Sequence, residues 1–415
     1  MIVDTRSRSA RRRFLAACRE HAYIGCTSMQ LSSPAIGIRM RQTTRARVLL
    51  VVTPVLLVCL AVSGCTSGTD PIVIGYLGGL SGRTSDLGSA GRDGALLAVE
   101  EADLAGGIDG HRLELLPADD AQDATRAADA FKALESAGAV AVVGPMTSGI
   151  AVAVAPLADE LGVPLVSPTT STDALTGKKD WFYRLYPDNS SAARKLAAVV
   201  RDQLGHKRVA MIYDLANRAH TETWARNFTE EFTRLGGSVV ASETIMSGAL
   251  DTYDIAVDRA LATDPQCVFV LANALDTARL ATLLREGGLE DHLITSEWSA
   301  TEVVIGYGGR AVEGMMFLNT FDRESTAPGY QDFAKRFRDR FGYEAGFASV
   351  HAYDATRLVI SQLKGDPTRT ALKARLDALR SYDAVQGVVK LDATGDVERE
   401  YFLMTIRDGV FVRAE

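Results

Sequence analysis

The chain has 415 residues, 47% of them hydrophobic and 23% charged, with a net charge of −7. Residues 1–64 carry ten arginines against one Asp and one Glu, a net +8, so the rest of the chain holds −15. So acidic a remainder makes a poor nucleic-acid binder.

Residues 1–39 are Arg-rich with no clear apolar period, and Met40 opens a more ordinary export signal. The expected start is therefore internal to the printed sequence. Arg41, Arg45 and Arg47 precede an apolar run, Val48 to Val62, too short for the roughly 20 residues of a membrane span. Val62-Ser63-Gly64-Cys65 resembles a bacterial lipobox, with Val where Leu is usual. Cys65 is therefore the expected lipidated first residue, with residues 1–64 removed and 65–70 a tether. The alternative is an ordinary signal peptide or helical anchor with a chance cysteine. No later segment is long and apolar enough to span a membrane. The other cysteines are Cys18, Cys26 and Cys59 in the leader and Cys267 beyond it. A disulfide framework is excluded from the mature domain, and Cys267, in an apolar run, reads as a small buried hydrophobe.

From Pro71 the pattern alternates. Strands are expected at Ile72–Tyr76, Arg112–Leu116, Ala139–Val143 and Pro164–Val166, with helices at Gly91–Asp103, Ala124–Ser136 and Ile150–Leu161 between them. After Tyr186-Pro187-Asp188-Asn189 the rhythm restarts. Helices at Ser191–Leu204, Thr221–Leu235, Tyr253–Leu261 and Thr277–Glu286 alternate with strands at Arg208–Tyr213, Ser238–Thr244, Cys267–Leu271 and His292–Thr295. Strand–helix alternation implies parallel sheets, and about 350 residues exceed one core, so two α/β lobes are expected. Helices at Tyr330–Phe341, Ser349–Leu363 and Thr368–Leu379 follow. The runs Val385–Leu391 and Arg399–Arg407 then read as antiparallel strands about the Thr394-Gly395-Asp396 turn.

Catalytic and cofactor signatures are lacking. The Gly75–Gly82 stretch is Gly-rich with the wrong spacing for a dinucleotide loop, and there is no Walker A, H-E-x-x-H or G-x-S-x-G motif. The histidines are dispersed, so no metal site is expected. Asp119-Asp120 and Glu100-Glu101 are adjacent carboxylates that point apart on a strand or helix. No enzyme, cofactor or metal is expected.

Several stretches together resemble the leucine/isoleucine/valine-binding protein family of ABC-transporter solute receptors. They are Ile74–Gly82, Gly94–Ala102, Gly106–Gly110, Asp119-Asp120, Gly144-Pro145-Met146-Thr147-Ser148, Val163–Ser171, Ser349–Ala355 and the Gly395-Asp396 turn. The resemblance implies two doubly wound parallel-sheet lobes joined by three crossovers, with a ligand cleft between them. The crossovers are expected near 186–190, 319–322 and 382–386. That assigns 71–187 and 322–383 to the first lobe, 188–321 and 384–415 to the second.

Ser148 follows a buried strand at a helix start, where open α/β sheets bind ligands and free N–H groups attract anions; its alternative role is a helix N-cap. The resemblance assigns Ser148, Thr169 and Ser171 to the ligand's carboxylate and ammonium. Thr170 and Thr172 read as donors to their own loop. In the other lobe Glu297 matches a position near the ammonium, Trp298 beside it would form an apolar wall, and His220 or, aligned without a gap, Arg218 would cover the ligand. Leu87 stands where the family often has Tyr, and Ala274 also replaces an aromatic. The reading is a monomeric, lipid-anchored extracytoplasmic receptor passing an amino-acid-like ligand to an ABC permease. A sensor signalling to a membrane partner is the alternative, and an exported α/β enzyme a third class.

Overall fold

The structure is a computed structural model that describes residues 70–414 apart from Asp291. Cys65 and the leader lie outside the described residues. Among the described residues no helix is long and apolar enough to cross a membrane.

The first sheet contains β1 (Ile72–Gly78), β2 (Leu113–Asp119), β3 (Ala141–Val143), β4 (Leu165–Ser167) and β5 (Phe182–Arg184), all parallel, in the order β2-β1-β3-β4-β5. β3, β4 and β5 are buried throughout, as strands with helices on both faces must be. The connecting helices are α1 (Ser85–Leu104), α2 (Ala124–Ser136) and α3 (Ser148–Leu161). The Asp123 side chain caps α2 by accepting from Arg126 N at 2.8 Å. β5 was not expected from sequence: Phe182-Tyr183-Arg184 ends in an arginine and lacks the unbroken apolar run that marks the equally short β3.

The second sheet uses β6 (Arg208–Asp214), β7 (Ser238–Ile245), β8 (Cys267–Leu271), β9 (His292–Thr295) and β10 (Met316–Asn319). Helices α4 (Asn189–Ala198), α5 (Arg218–Arg234), α6 (Asp251–Leu261), α7 (Ala274–Glu286) and α8 (Glu302–Gly308) flank it. Cys267 is fully buried on β8, as its apolar run implied. Asp188 and Asn273 cap α4 and α7, accepting from Ser190 N at 3.0 Å and Asp276 N at 3.1 Å.

Then come α9 (Pro328–Phe341), α10 (Phe347–Leu363) and α11 (Arg369–Ala378), which pack with the first lobe. Gly94 of α1 lies so close to α10 that a Cβ there would sit 2.1 Å from the Ser349 carbonyl oxygen. Only glycine lets these two helices touch along their length.

The chain ends with β11 (Ser381–Ala384), β12 (Gly387–Leu391), β13 (Val397–Glu398), β14 (Phe402–Arg407) and β15 (Val410–Arg413). β14 and β15 are antiparallel additions to the second sheet, whose order is β15-β14-β10-β9-β8-β6-β7. β11, β12 and β13 form a separate antiparallel sheet. That sheet belongs to the first lobe: Val385 N donates to Asp354 Oδ1 of α10 at 3.0 Å, and Arg184 of β5 pairs with Asp396 at 2.7 Å.

The chain passes between the lobes three times, through 185–188, 320–327 and 399–401. The first two passages lie close to expectation. The third comes later than 382–386, and 384–398 stays with the first lobe rather than joining the second. The run Val385–Leu391 finds its partners in short neighbouring strands, a local pairing that its alternation alone did not reveal.

Candidate functional site

In each sheet the strand order reverses once, between β1 and β3 and between β6 and β8. Loops beyond the carboxyl ends of strands at such a switch point form a natural binding crevice. The loop after β3 runs Gly144–Thr147 into α3. Gly144 adopts φ +118, and a Cβ there would meet the Leu77 carbonyl oxygen at 2.0 Å, so the turn requires glycine. The loop after β4 is Pro168–Thr172. Facing them from the second lobe are the segments after β6, carrying Asn217 and His220, and after β9, carrying Glu297 and Trp298.

Leu87, Ser148, Thr169, His220, Glu297 and Trp298 line one cavity, together with Met146, Asn217 and Phe347. Ser171 joins them through hydrogen bonds to His220 and Glu297. The structure thus brings seven of the residues singled out from sequence together, with His220 rather than its alternative Arg218 among them. Arg218 is excluded from the cavity: its side chain is 63% exposed, 3.9 Å from Glu222 on the outer face of α5. Ala274 is buried at the start of α7 and does not line the cavity. Met146, Asn217 and Phe347 were missed. Phe347 sits at the helix start just before the Ser349–Ala355 motif, a signal that could have found it.

Ser148 is not the N-cap. It is the first residue of α3, the preceding Thr147 holds the cap position, and Thr147 Oγ1 donates instead to Gln122. Ser148 Oγ accepts from Ser171 N at 3.3 Å and Thr172 N at 3.2 Å, stitching the two first-lobe loops together. A hydroxyl that accepts twice still has one proton to donate, so Ser148 remains a donor for a ligand. Thr169 does not: its hydroxyl donates to the Met146 carbonyl at 2.6 Å. Thr172 serves its own loop, but by accepting from Ala174 N at 3.2 Å rather than as the donor expected from sequence.

The lobes are closed, leaving about 10 Å³. Asn217 Oδ1 accepts from Gly149 N at 2.8 Å, so a second-lobe amide occupies the free N-terminus of α3. Ser171 O–H donates to Glu297 Oε1 at 3.0 Å. With its single proton used, Ser171 Oγ accepts from His220 Nδ1 at 3.0 Å, and His220 Nε2 accepts from Ser296 O–H at 3.1 Å. That pattern requires neutral His220, and burial does hold its pKa down to about 3. Burial pushes the Glu297 carboxyl up to about 7, against the pull of its Ser171 hydrogen bond. Trp298 stands edge-on to His220 with ring centres 5.5 Å apart. Arg83–Asp276 and Arg226–Asp173 ion pairs span the lobes outside the cavity. Among the described residues no cluster of three or more His, Cys, Asp or Glu is placed to hold a metal ion.

The site therefore offers anion donors at one wall and a buried acid at the other. Two lobes of this topology closing on such a crevice match a known family over residues 71–410, that of the periplasmic binding proteins. The chain belongs to this family. Its relatives include Leu/Ile/Val-binding protein homolog 3 of Brucella melitensis, 24% identical over 80% of this chain and 90% of the relative. A chemotactic signal-transduction substrate-binding protein, BasB of Halobacterium salinarum, is 28% identical over 75% of each chain. Among solved structures, the branched-chain amino-acid transporter binding protein LivJ of Streptococcus pneumoniae, in complex with isoleucine, superposes with a TM-score of 0.77 at 25% identity. That match covers 83% of this chain and 99% of LivJ. A solute-binding protein of R. palustris in complex with benzoate gives a TM-score of 0.75 at 22% identity, covering 83% and 95%. The fold class is that of these neighbours, and the Leu/Ile/Val-binding resemblance of the motifs holds across the chain. Family membership places the protein outside the cytoplasm, and its relatives are binding proteins rather than enzymes.

Proposed function

We propose that the protein is a lipid-anchored receptor that captures an amino acid or related small carboxylate between its lobes for an ABC importer. The observation that carries this reading is the opposition of Ser148 and the α3 N-terminus to buried Glu297 across one cavity. A carboxylate would replace Asn217 at the α3 amides, where the helix end favours negative charge. An ammonium would replace the Ser171 proton at Glu297 and hold that carboxylate ionised. The names of the relatives support the ligand class, and the lipobox at Cys65 supports the anchor.

A thermal-shift screen of amino acids and aromatic acids tests the ligand class. A ligand at about 100 times its Kd adds about 2.7 kcal/mol of stability, whereas no shift with any amino acid rejects the reading. Cys65→Ser should release the protein from the membrane fraction or block its processing, and unchanged retention and processing would reject the anchor. The chemotactic relative favours one second reading, a sensor. Deleting the gene should abolish ligand uptake if the partner is a permease, and spare uptake while abolishing the response if it is a signalling protein.

A further inference from the structure

Beside the head-group cavity lies a second, much larger space of about 310 Å³, open to solvent and also built from both lobes. Its first-lobe walls come from α1 and the start of α10, with Ala90, Phe347 and Ala348. Its second-lobe walls are Ala300 to Val303 at the start of α8. Phe347 lines both spaces. Leu87 faces the small cavity and its neighbours Asp86 and Ala90 the large one, and the same holds for Trp298 and Ala300. One layer of side chains separates them.

Of the four acids around the large chamber, three take an arginine and Asp86 takes a hydroxyl alone. Asp86 accepts from Thr301 O–H at 2.5 Å, and Asp93 takes Arg92 at 2.8 Å and Tyr343 O–H at 2.9 Å. Glu302 pairs with Arg323, and Glu344 with Arg338 at 2.8 Å. What the chamber lacks is apolar filling. It has the volume of on the order of ten waters, against walls that give them few partners. The small cavity, at about 10 Å³, is at the lower limit for one water. A concave apolar space beside a few convergent polar groups is the usual form of a small-molecule site.

We infer that the ligand carries an elongated apolar substituent, a long alkyl or arylalkyl chain, that passes Phe347 and fills this chamber while its polar head sits between Ser148 and Glu297. The inference rests on the head-group reading above and narrows its ligand to long-tailed amino acids. Lobe closure then buries head and tail together, since each chamber takes walls from both lobes.

Titration calorimetry on the mature protein with straight-chain α-amino acids, from alanine through 2-aminooctanoate, and with homophenylalanine tests this. Each buried methylene should tighten binding about fourfold. Ala90→Leu and Val303→Phe fill the chamber from opposite lobes without touching the small cavity. In either variant the gain with length should vanish while alanine binds within about twofold of wild type, with thermal melts confirming folding. Affinity that is flat or falls with chain length in the wild type overturns the inference and leaves the head-group reading standing. Equal gains with length in both variants also overturn it, because the tail then lies elsewhere. If no member of the series binds, the head-group reading fails and this inference falls with it.

Discussion

Replacing Glu297 with Gln should make the empty protein more stable and the receptor weaker. In the unfolded chain this carboxyl titrates near its ordinary value of 4.5, and in the closed cleft burial lifts it to about 7. Between those values the folded protein holds a proton that the unfolded chain has released, so stability falls as pH rises through the window. The cost is absent below the lower value and complete above the upper one. A displacement of that size corresponds to about 3 kcal/mol. Glu297→Gln keeps the size and an acceptor for Ser171 but cannot ionise. At about pH 8 the ligand-free variant should therefore melt several degrees above wild type, and at about pH 5 the two melts should converge. Binding should move the other way: losing a charged partner costs roughly 1.5–3 kcal/mol, about 10- to 150-fold in Kd for an ammonium ligand. Calorimetric melts at both pH values and a titration at the higher one read all three. Identical melts at both pH values would refute the buried, proton-holding Glu297. An unchanged Kd would refute its role toward an ammonium.

Ser148→Ala removes the acceptor of two buried backbone N–H groups, so it should lower stability by about 2 kcal/mol as well as weaken binding, read by denaturant melts and titration. A loss of affinity with no loss of stability would show that the Ser148 stitch between the two loops contributes nothing. Gly94→Ala drives a methyl into the backbone of α10, where the neighbour is a carbonyl and not a movable side chain. It should cost roughly 1–3 kcal/mol, and a melt equal to wild type would show that the two helices can part freely.

The architecture was readable because strand and helix periods alternate so regularly from Ile72 to Thr295. What escaped was short or paired locally. β5 ends in an arginine with no unbroken apolar run, β10 stands outside the regular alternation, and α8 is a helix of only seven residues. β11, β12 and β13 hold each other and so delay the third passage between lobes. At the site, topology alone directs attention to Ser148, at a helix start after a buried strand, whereas Ser171 is named only through the family resemblance. His220 and Glu297 needed the family resemblance, and only the structure shows that they share Ser171 as a common partner. Asn217 was invisible: a loop asparagine becomes important only when the opposite lobe presents the α3 amides to it.

The central claim is that one cavity holds both ends of an amino-acid head group. Titration calorimetry with three compounds sharing one side chain tests it most directly: the amino acid, the same acid without its amino group, and the amine without its carboxylate. The amino acid should bind, and losing either group should weaken binding at least about tenfold, since each takes a charge-assisted partner with it. Equal affinity for the amino acid and either truncated compound would contradict it.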